Sequence, residues 1–267
     1  MPTLIKAAIL GVIQGLFEFL PVSSTAHLLV ASRVLGYDDP GGVFTVMIQF
    51  GSILAVMWLY RAKIISVVAG LPSRPEARRF AAMIVLATLP ILIAGALFST
   101  LVRSVLYGSI PVIAVAFIAG GVIMLVVERL RPAPDVFDVD SLPVPRALAI
   151  GSFQTLALIP GVSRSGATIV AAMAMRVDRA AAAEFTFFLA MPTMAAAFAK
   201  DLLDARHHLG RERGLEIAVG FVMAFIASAL VVKPFLRYVR RSGFAPFAWY
   251  RIVFGAALIA AFAAGWM

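Results

Sequence analysis

Six long apolar runs constrain the fold of this chain more than any other feature of its sequence. They cover residues 43–60, 80–99, 110–127, 184–199, 215–232 and 247–265. A helix needs about 20 mostly apolar residues to cross a hydrocarbon layer about 30 Å thick, and each run approaches that length. Since 62% of the residues are apolar and 14% are charged, a water-soluble fold could not cover this surface. The runs predict an all-α integral membrane protein.

Two further apolar regions, residues 3–35 and 146–175, are interrupted by prolines and polar residues. The first is broken around Glu18 and Pro21, and the second is broken around Pro160. Each half is too short to cross a membrane alone. Non-helical backbone is tolerated at membrane depth only where it faces protein or a water-filled cavity. Both regions therefore predict re-entrant helical hairpins.

A weak internal repeat relates the two broken regions. At an offset of 140 residues, Gly11, Gln14, Leu16, Val22, Ser23, Val30 and Ala31 match Gly151, Gln154, Leu156, Val162, Ser163, Val170 and Ala171. This match predicts a single membrane domain over residues 1–267, built from repeats at about 1–130 and about 140–267. Each repeat would be one hairpin followed by three spanning helices. Chance similarity between apolar helices is the alternative.

The basic residues indicate how the helices are oriented. The loop at 61–79 is strongly basic, and placing it in the cytoplasm leaves fourteen basic residues inside and seven outside. An odd number of spans then separates the hairpins, so the first enters from outside and the second from the cytoplasm. The two repeats would have inverted topology, which brings broken elements face to face near the membrane midplane.

The net charge of +9 raises the question of nucleic acid as a partner. The basic residues lie at the ends of the apolar runs, and no basic block alternates with aromatic residues on a polar surface. This placement is typical of cytoplasmic loops and of contact with anionic lipid headgroups. The sequence predicts membrane lipid, and no nucleic acid, as the partner.

Glu18 is the most informative carboxylate, because an acid inside an apolar hairpin is costly and marks a candidate functional site. Gln14 lies four residues earlier on the same helical face, so both side chains can point into one cavity. Ser24 and His27 also share a face, so a hydroxyl nucleophile and an imidazole acid or base could cooperate. The alternatives are an interfacial Glu18 that reaches water and a serine that only caps the helix.

The second hairpin carries Arg164 inside a segment rich in serine and glycine. Its guanidinium fork matches phosphate oxygens, and no acid lies near it in the sequence. A structural ion pair between Arg164 and Glu18 is the alternative, and the two roles are compatible. The expected phosphate ligands are polar side chains from both breaks: Ser23, Thr25, Ser163, Arg164, Ser165 and Thr168.

Two motifs carry a resemblance to a known family. Residues 14–27 (QGLFEFLPVSSTAH) and 160–168 (PGVSRSGAT) resemble the signature motifs of the bacterial undecaprenyl-diphosphatase family associated with bacitracin resistance. Residues 48–56 and 183–185 also resemble family segments. The length and the pattern of spans agree with that family over essentially the whole chain.

The resemblance implies hydrolysis of undecaprenyl diphosphate to the monophosphate, which recycles the lipid carrier of cell-wall synthesis in the bacterial plasma (inner) membrane. It also implies a divalent cation, Mg²⁺ or Ca²⁺, near Glu18 and Gln14. The resemblance implies a pair of acids at the positions of Gln14 and Glu18. Because Gln14 replaces the first acid, Glu18 is the sole carboxylate, which weakens the hypothesis of a metal site with two carboxylates. Family members also have glycine at the position of Ala26 and an acid at that of Thr45; we expect the first change to be harmless.

We expect Arg164 and the neighbouring hydroxyls to hold the diphosphate and Ser24 or a water to attack the terminal phosphorus. His27 would move the proton, and Glu18 completes the predicted catalytic set. We expect the site to open to the extracytoplasmic side. A transporter or flippase of a polyprenyl phosphate lipid is the alternative, since inverted repeats with broken helices are typical of transporters. The sequence leaves open whether the protein forms a homodimer.

Overall fold

The computed structural model describes residues 1–105, 109–205 and 213–265, and these residues are helical apart from short connections. They contain eleven α-helices and no strand longer than an isolated bridge. The helices are α1 (Thr3–Phe17), α2 (Ser24–Leu35), α3 (Val43–Leu59), α4 (Arg61–Gly70), α5 (Pro75–Val105), α6 (Ile110–Leu130), α7 (Val144–Phe153), α8 (Arg164–Ala174), α9 (Arg179–Ala205), α10 (Gly214–Ser242) and α11 (Ala245–Ala263). The all-α prediction is confirmed.

Five of the described helices are long and apolar enough to cross a membrane, namely α5, α6, α9, α10 and α11. Helices α3 and α4 meet the same criterion only as a pair, and a bend of 72° separates them. These elements coincide with the six predicted apolar runs. The prediction of an integral membrane protein with several spans is therefore confirmed.

The prediction that residues 61–79 form a loop was wrong. Residues 61–70 form α4, and α5 already begins at Pro75. On α4, Ile65 and Val68 are exposed at spacing three, on the same side of the helix. The charges of this segment do not distinguish a loop from a short helix.

Each broken region consists of two short helices joined by a turn. The first break covers residues 18–23 between α1 and α2. The second follows α7 through a 3-10 segment, Gln154–Leu158, and ends where α8 begins. Gly161 in the second break has φ +89°, a conformation that glycine adopts without strain. The two predicted interruptions are therefore real breaks in the helices.

The first helix of each broken region packs closely against a long helix of the other half of the chain. Helix α1 lies on α10, where a side chain at Gly11 would run into the carbonyl oxygen of Gly220. Helix α7 lies on α5, where a side chain at Gly151 would run into the carbonyl oxygen of Ala87. Small residues allow such close backbone approach between membrane helices.

Two arginines, one at each end of the second broken region, bind the same carboxylate. Asp135 accepts hydrogen bonds from Arg146 at the start of α7 at 2.5 and 3.0 Å. It also lies 3.4 Å from the Nε atom of Arg176, just after α8. The hydrogen bonds from Arg146 hold the pKa of the Asp135 carboxyl below its usual range. Both ends of this region are thus fixed to one loop carboxylate.

Replacing Gly11 by alanine should destabilise the fold, because the new Cβ atom must displace the backbone of α10. We expect a loss of roughly 1–3 kcal/mol, the usual cost of overpacking, although alanine favours a helix over glycine. The midpoint of thermal unfolding in detergent, followed by tryptophan fluorescence, would measure this. Gly214→Ala is the matched control, since nothing lies within 4 Å of a Cβ atom there. Equal midpoints for both variants would contradict the close contact.

Candidate active site

A cavity of about 540 Å³ lies where the two breaks meet. Residues of both breaks form a polar part of its wall, and mostly apolar side chains of α5 and α9 form another part. The first break contributes Glu18, Ser23, Ser24 and Thr25, and the second contributes Val162, Ser163 and Arg164. The structure therefore brings the two breaks to one shared cavity, as expected from the sequence.

The carboxylate of Glu18 is the centre of a hydrogen-bond network at this wall. Its Oε1 atom accepts from Arg164 Nη2 at 2.7 Å, which joins the two breaks directly. Its Oε2 atom accepts from Gln14 Nε2 at 2.6 Å and from Ser24 Oγ at 2.7 Å. Glu18 is only 8% exposed, so these bonds satisfy a charge that would be costly alone.

Arg164 is the first residue of α8, and Ser163 caps that helix by accepting from the Gly166 amide at 3.1 Å. One guanidinium nitrogen is committed to Glu18. The other, Nη1, is buried and has no hydrogen-bond partner among the described residues. A buried donor without a partner is unusual in proteins. Other atoms of Arg164 line the cavity, and a fixed guanidinium there suits an anion.

Ser23 is one of two described non-glycine residues with positive φ, at φ 66° and ψ 90°. Such backbone costs about 1–3 kcal/mol and persists only where neighbours hold it. The turn lets α2 begin at Ser24 with the hydroxyl directed to Glu18. The His27 ring holds the turn, because its Nδ1 atom donates to the Ser23 carbonyl oxygen at 2.8 Å.

His27 does not line the cavity. Its ring stacks on Phe17 and Phe254, with centroids 4.2 and 4.6 Å away, and its Nε2 atom lies 2.6 Å from the Tyr250 hydroxyl. The structure therefore corrects the predicted pairing of Ser24 with His27, since the carboxylate of Glu18 occupies that place. Aromatic side chains from α11, distant in sequence, set the direction of the ring.

Two of the predicted phosphate ligands also face away from the cavity. Ser165 donates to the carbonyl oxygen of Leu20 at 2.8 Å, and Thr168 lies 2.9 Å from the hydroxyl of Thr186. Both side chains are almost fully buried between helices, so the structure corrects their expected position. The predicted phosphate ligands that do line the cavity are Ser23, Thr25, Ser163 and Arg164.

Sequence reasoning assigned no role to several polar residues of the cavity wall. Gln49 and Lys200 lie there, as do Gln154 and Thr193, whose side chains are joined by a hydrogen bond of 3.2 Å. A polar residue inside an otherwise apolar run was the available signal for Gln49 and Thr193. For Gln154, the repeat match with Gln14 was the signal.

The described residues contain no group of three or more histidine, cysteine, aspartate or glutamate side chains that could hold a metal ion. The predicted cation ligands, Glu18 and Gln14, are neighbours joined by the hydrogen bond of 2.6 Å. The Oε1 atom of Gln14 is buried and has no hydrogen-bond partner among the described residues. Glu18 and Gln14 together offer one carboxylate and one amide oxygen.

Comparison with known proteins agrees with the motifs. The model of the family described as bacitracin resistance protein BacA matches residues 7–257. An undecaprenyl-diphosphatase of Cereibacter sphaeroides (strain ATCC 17025 / ATH 2.4.3) is 48% identical over 263 residues, which cover 98% of each chain. Undecaprenyl-diphosphatase 1 of Agrobacterium fabrum is 48% identical over 95% of each chain, and a Phenylobacterium zucineum undecaprenyl-diphosphatase is 49% identical over 96% of each. This chain belongs to the bacitracin resistance protein BacA family.

Proposed function

We propose that this protein hydrolyses undecaprenyl diphosphate to undecaprenyl phosphate and inorganic phosphate, and so recycles the lipid carrier of cell-wall synthesis. The observation that carries the proposal is the network of Arg164, Glu18 and Ser24 on the wall of a cavity. That network combines an anion-binding cation, a proton acceptor and a hydroxyl nucleophile. The names of the relatives support the same activity.

The two walls of the cavity suit an amphiphilic substrate. The diphosphate would lie at the polar wall formed by the breaks, where the guanidinium of Arg164 lies. The prenyl chain would pass the apolar side, where Ile91, Leu92 and Met194 lie. Leu92 is 37% exposed, so this side reaches the surface that lipid covers.

Phosphoryl transfer depends mostly on positioning and on charge stabilisation. In the first step the Ser24 oxygen attacks the terminal phosphorus while its proton passes to Glu18, which accepts from it at 2.7 Å. The bond from phosphorus to the bridging oxygen breaks, and undecaprenyl phosphate leaves with the proton from Glu18. In the second step a water, deprotonated by Glu18, attacks the phosphoserine, and Ser24 recovers a proton as inorganic phosphate leaves.

We also propose a divalent cation, Mg²⁺ or Ca²⁺, held by Glu18 and Gln14. The unpartnered Oε1 atom of Gln14 supports this role. Magnesium is commonly bound by one or two carboxylates together with substrate phosphates, so a single carboxylate suffices. When bound, the cation would offset the negative charge of the diphosphate.

We infer that the chain is a single membrane domain of two inverted repeats, with the site open to the extracytoplasmic side of the bacterial inner membrane. Equivalent contacts support the repeats, since the packing of Gly11 against α10 corresponds to the packing of Gly151 against α5. Gln14 and Gln154, also equivalent, are both fully buried with one unpartnered oxygen. The cavity lies toward the C-terminal half of α9, near Lys200, and the excess of basic residues in the loops at the other side supports an extracytoplasmic position for that end.

Replacing Arg164 by alanine should lower phosphate release from undecaprenyl diphosphate by about 10²–10³-fold, since one preorganised charge contact is worth that much in a transition state. Glu18→Gln should have a comparable effect because it removes the proton acceptor. The assay uses protein purified in detergent, where no second compartment exists and a transporter alone releases no phosphate. Arg237→Ala, an exposed arginine of α10, is the control. Near-full release by Arg164→Ala would refute the proposed site.

Replacing Ser24 by alanine should abolish both phosphate release and a phosphoserine intermediate. The intermediate is sought by rapid acid quench of the wild-type protein and peptide mass spectrometry of residues 18–33. Ser73→Ala, on an exposed connection, should retain both signals. If Ser24→Ala releases phosphate at the wild-type rate, the nucleophile is not this hydroxyl.

Chelation of divalent cations should stop phosphate release by the wild-type protein, and added Mg²⁺ or Ca²⁺ should restore it. Gln14→Ala should raise the cation concentration needed for half-maximal release, because one of the two protein oxygens is lost. Ser66→Ala, distant from the cavity, serves as the comparison. Full release after exhaustive chelation would show that the reaction needs no cation.

A further inference from the structure

Helix α11 contributes no residue to the wall of the cavity, yet Arg251 on this helix contacts both breaks. Its Nη1 atom donates to the carbonyl oxygen of Pro21 in the first break at 3.1 Å. Its Nη2 atom donates to the carbonyl oxygen of Gly161 in the second break at 3.2 Å and to that of Ala116 on α6 at 3.0 Å. One guanidinium therefore bridges the two breaks without lining the cavity.

The surroundings of Arg251 are built to accept this cation. Arg251 is 2% exposed, and no carboxylate pairs with it in the part of the chain that the structure describes. Its charge is balanced by carbonyl oxygens and by the ring of Phe117, 5.0 Å from the guanidinium carbon. Space comes from Gly120, where a side chain would collide with Nη2. A buried charge is costly unless it is hydrogen-bonded, and these bonds join Arg251 to both breaks.

The preceding residue, Tyr250, reaches the same turn through His27. A carbonyl oxygen can only accept, so the His27 Nδ1 atom that bonds the Ser23 carbonyl carries the hydrogen. In the neutral ring the Nε2 atom is then an acceptor, and the Tyr250 hydroxyl donates to it at 2.6 Å. Tyr250 thereby fixes the ring that holds the strained backbone of Ser23.

We propose that Tyr250 and Arg251 are positioning residues for the hydrolysis. Together they hold the carbonyl oxygens of Pro21, Ser23 and Gly161, and so keep the two breaks at the separation at which Ser24 and Arg164 both reach Glu18. Neither residue touches the cavity, so neither contacts substrate. This inference rests on the proposed hydrolysis.

Arg251→Lys tests the fork of the guanidinium, because lysine keeps the charge but offers one nitrogen that cannot reach the carbonyl oxygens of both breaks. We expect kcat for phosphate release to fall roughly 100-fold, as displacement of a reacting group by about 1 Å does. KM for the lipid should change much less than kcat, since every side chain that lines the cavity is retained. A residue needed only for its charge or bulk would be rescued by lysine.

Tyr250→Phe is the milder second variant, since it removes one hydroxyl and leaves the ring and the fold in place. We expect kcat to fall roughly fivefold, the usual effect of losing one neutral hydrogen bond. Tyr238→Phe is the matched control, because Tyr238 lies in the same outer groove as Tyr250, is 41% exposed and makes no hydrogen bond among the described residues. That variant should retain wild-type kcat and KM.

Arg179→Met controls for lost stability. Arg179 forms an ion pair with Glu128 remote from the cavity, so this variant should lower the thermal midpoint while kcat is retained.

Hydrogen exchange gives a readout that does not depend on the reaction. Peptides covering residues 18–27 should exchange faster in Arg251→Lys and Tyr250→Phe than in the wild type, and should be unchanged in Arg179→Met.

The positioning role is overturned if Arg251→Lys keeps the wild-type kcat, or if Tyr250→Phe behaves like Tyr238→Phe. It is also overturned if the exchange of residues 18–27 is unchanged in both variants. A wild-type protein that releases no phosphate refutes the proposed hydrolysis instead. In that case the exchange measurement alone decides whether Tyr250 and Arg251 hold the breaks.

Discussion

The ion pair between Glu18 and Arg164 is the contact on which the rest of the structure depends. It joins two segments 146 residues apart in the chain, at a bond length of 2.7 Å. In an interior of low dielectric constant neither charge would be tolerated alone, so each break stabilises the polar group of the other. The same pair creates the cavity wall, since Ser24 and Gln14 are arranged around the carboxylate that Arg164 holds. The site therefore exists only where the two halves of the chain meet.

Support for this pair comes from three directions. Small residues bring α1 against α10 and α7 against α5, which fixes the helices that lead into the breaks. Asp135 holds the base of the second broken region. Helix α11 reaches both breaks from behind through a single guanidinium. The first and third supports use glycines and backbone carbonyls, whereas the second is a contact between side chains.

The sequence predicted the helices, the two breaks and the meeting of Glu18 with Arg164, because apolar length and the cost of buried charge are local properties. It did not predict the direction of His27, since rings from α1, α6 and α11 surround that imidazole. Ser165 and Thr168 were misplaced because a hydroxyl near an arginine can face a ligand or a neighbouring helix, and only packing decides which. Arg251 was assigned no role, because one arginine inside an apolar run gives no indication of the carbonyl oxygens it will meet.

The guanidinium of Arg164 has a consequence for turnover. A cation fixed in the wall of the cavity attracts any tetrahedral oxyanion that arrives, whether or not it carries a lipid. Inorganic phosphate, once formed, binds the same guanidinium that recruited its parent. The enzyme should therefore suffer competition from its own small product, and the rate at which that ion escapes becomes part of the catalytic cycle.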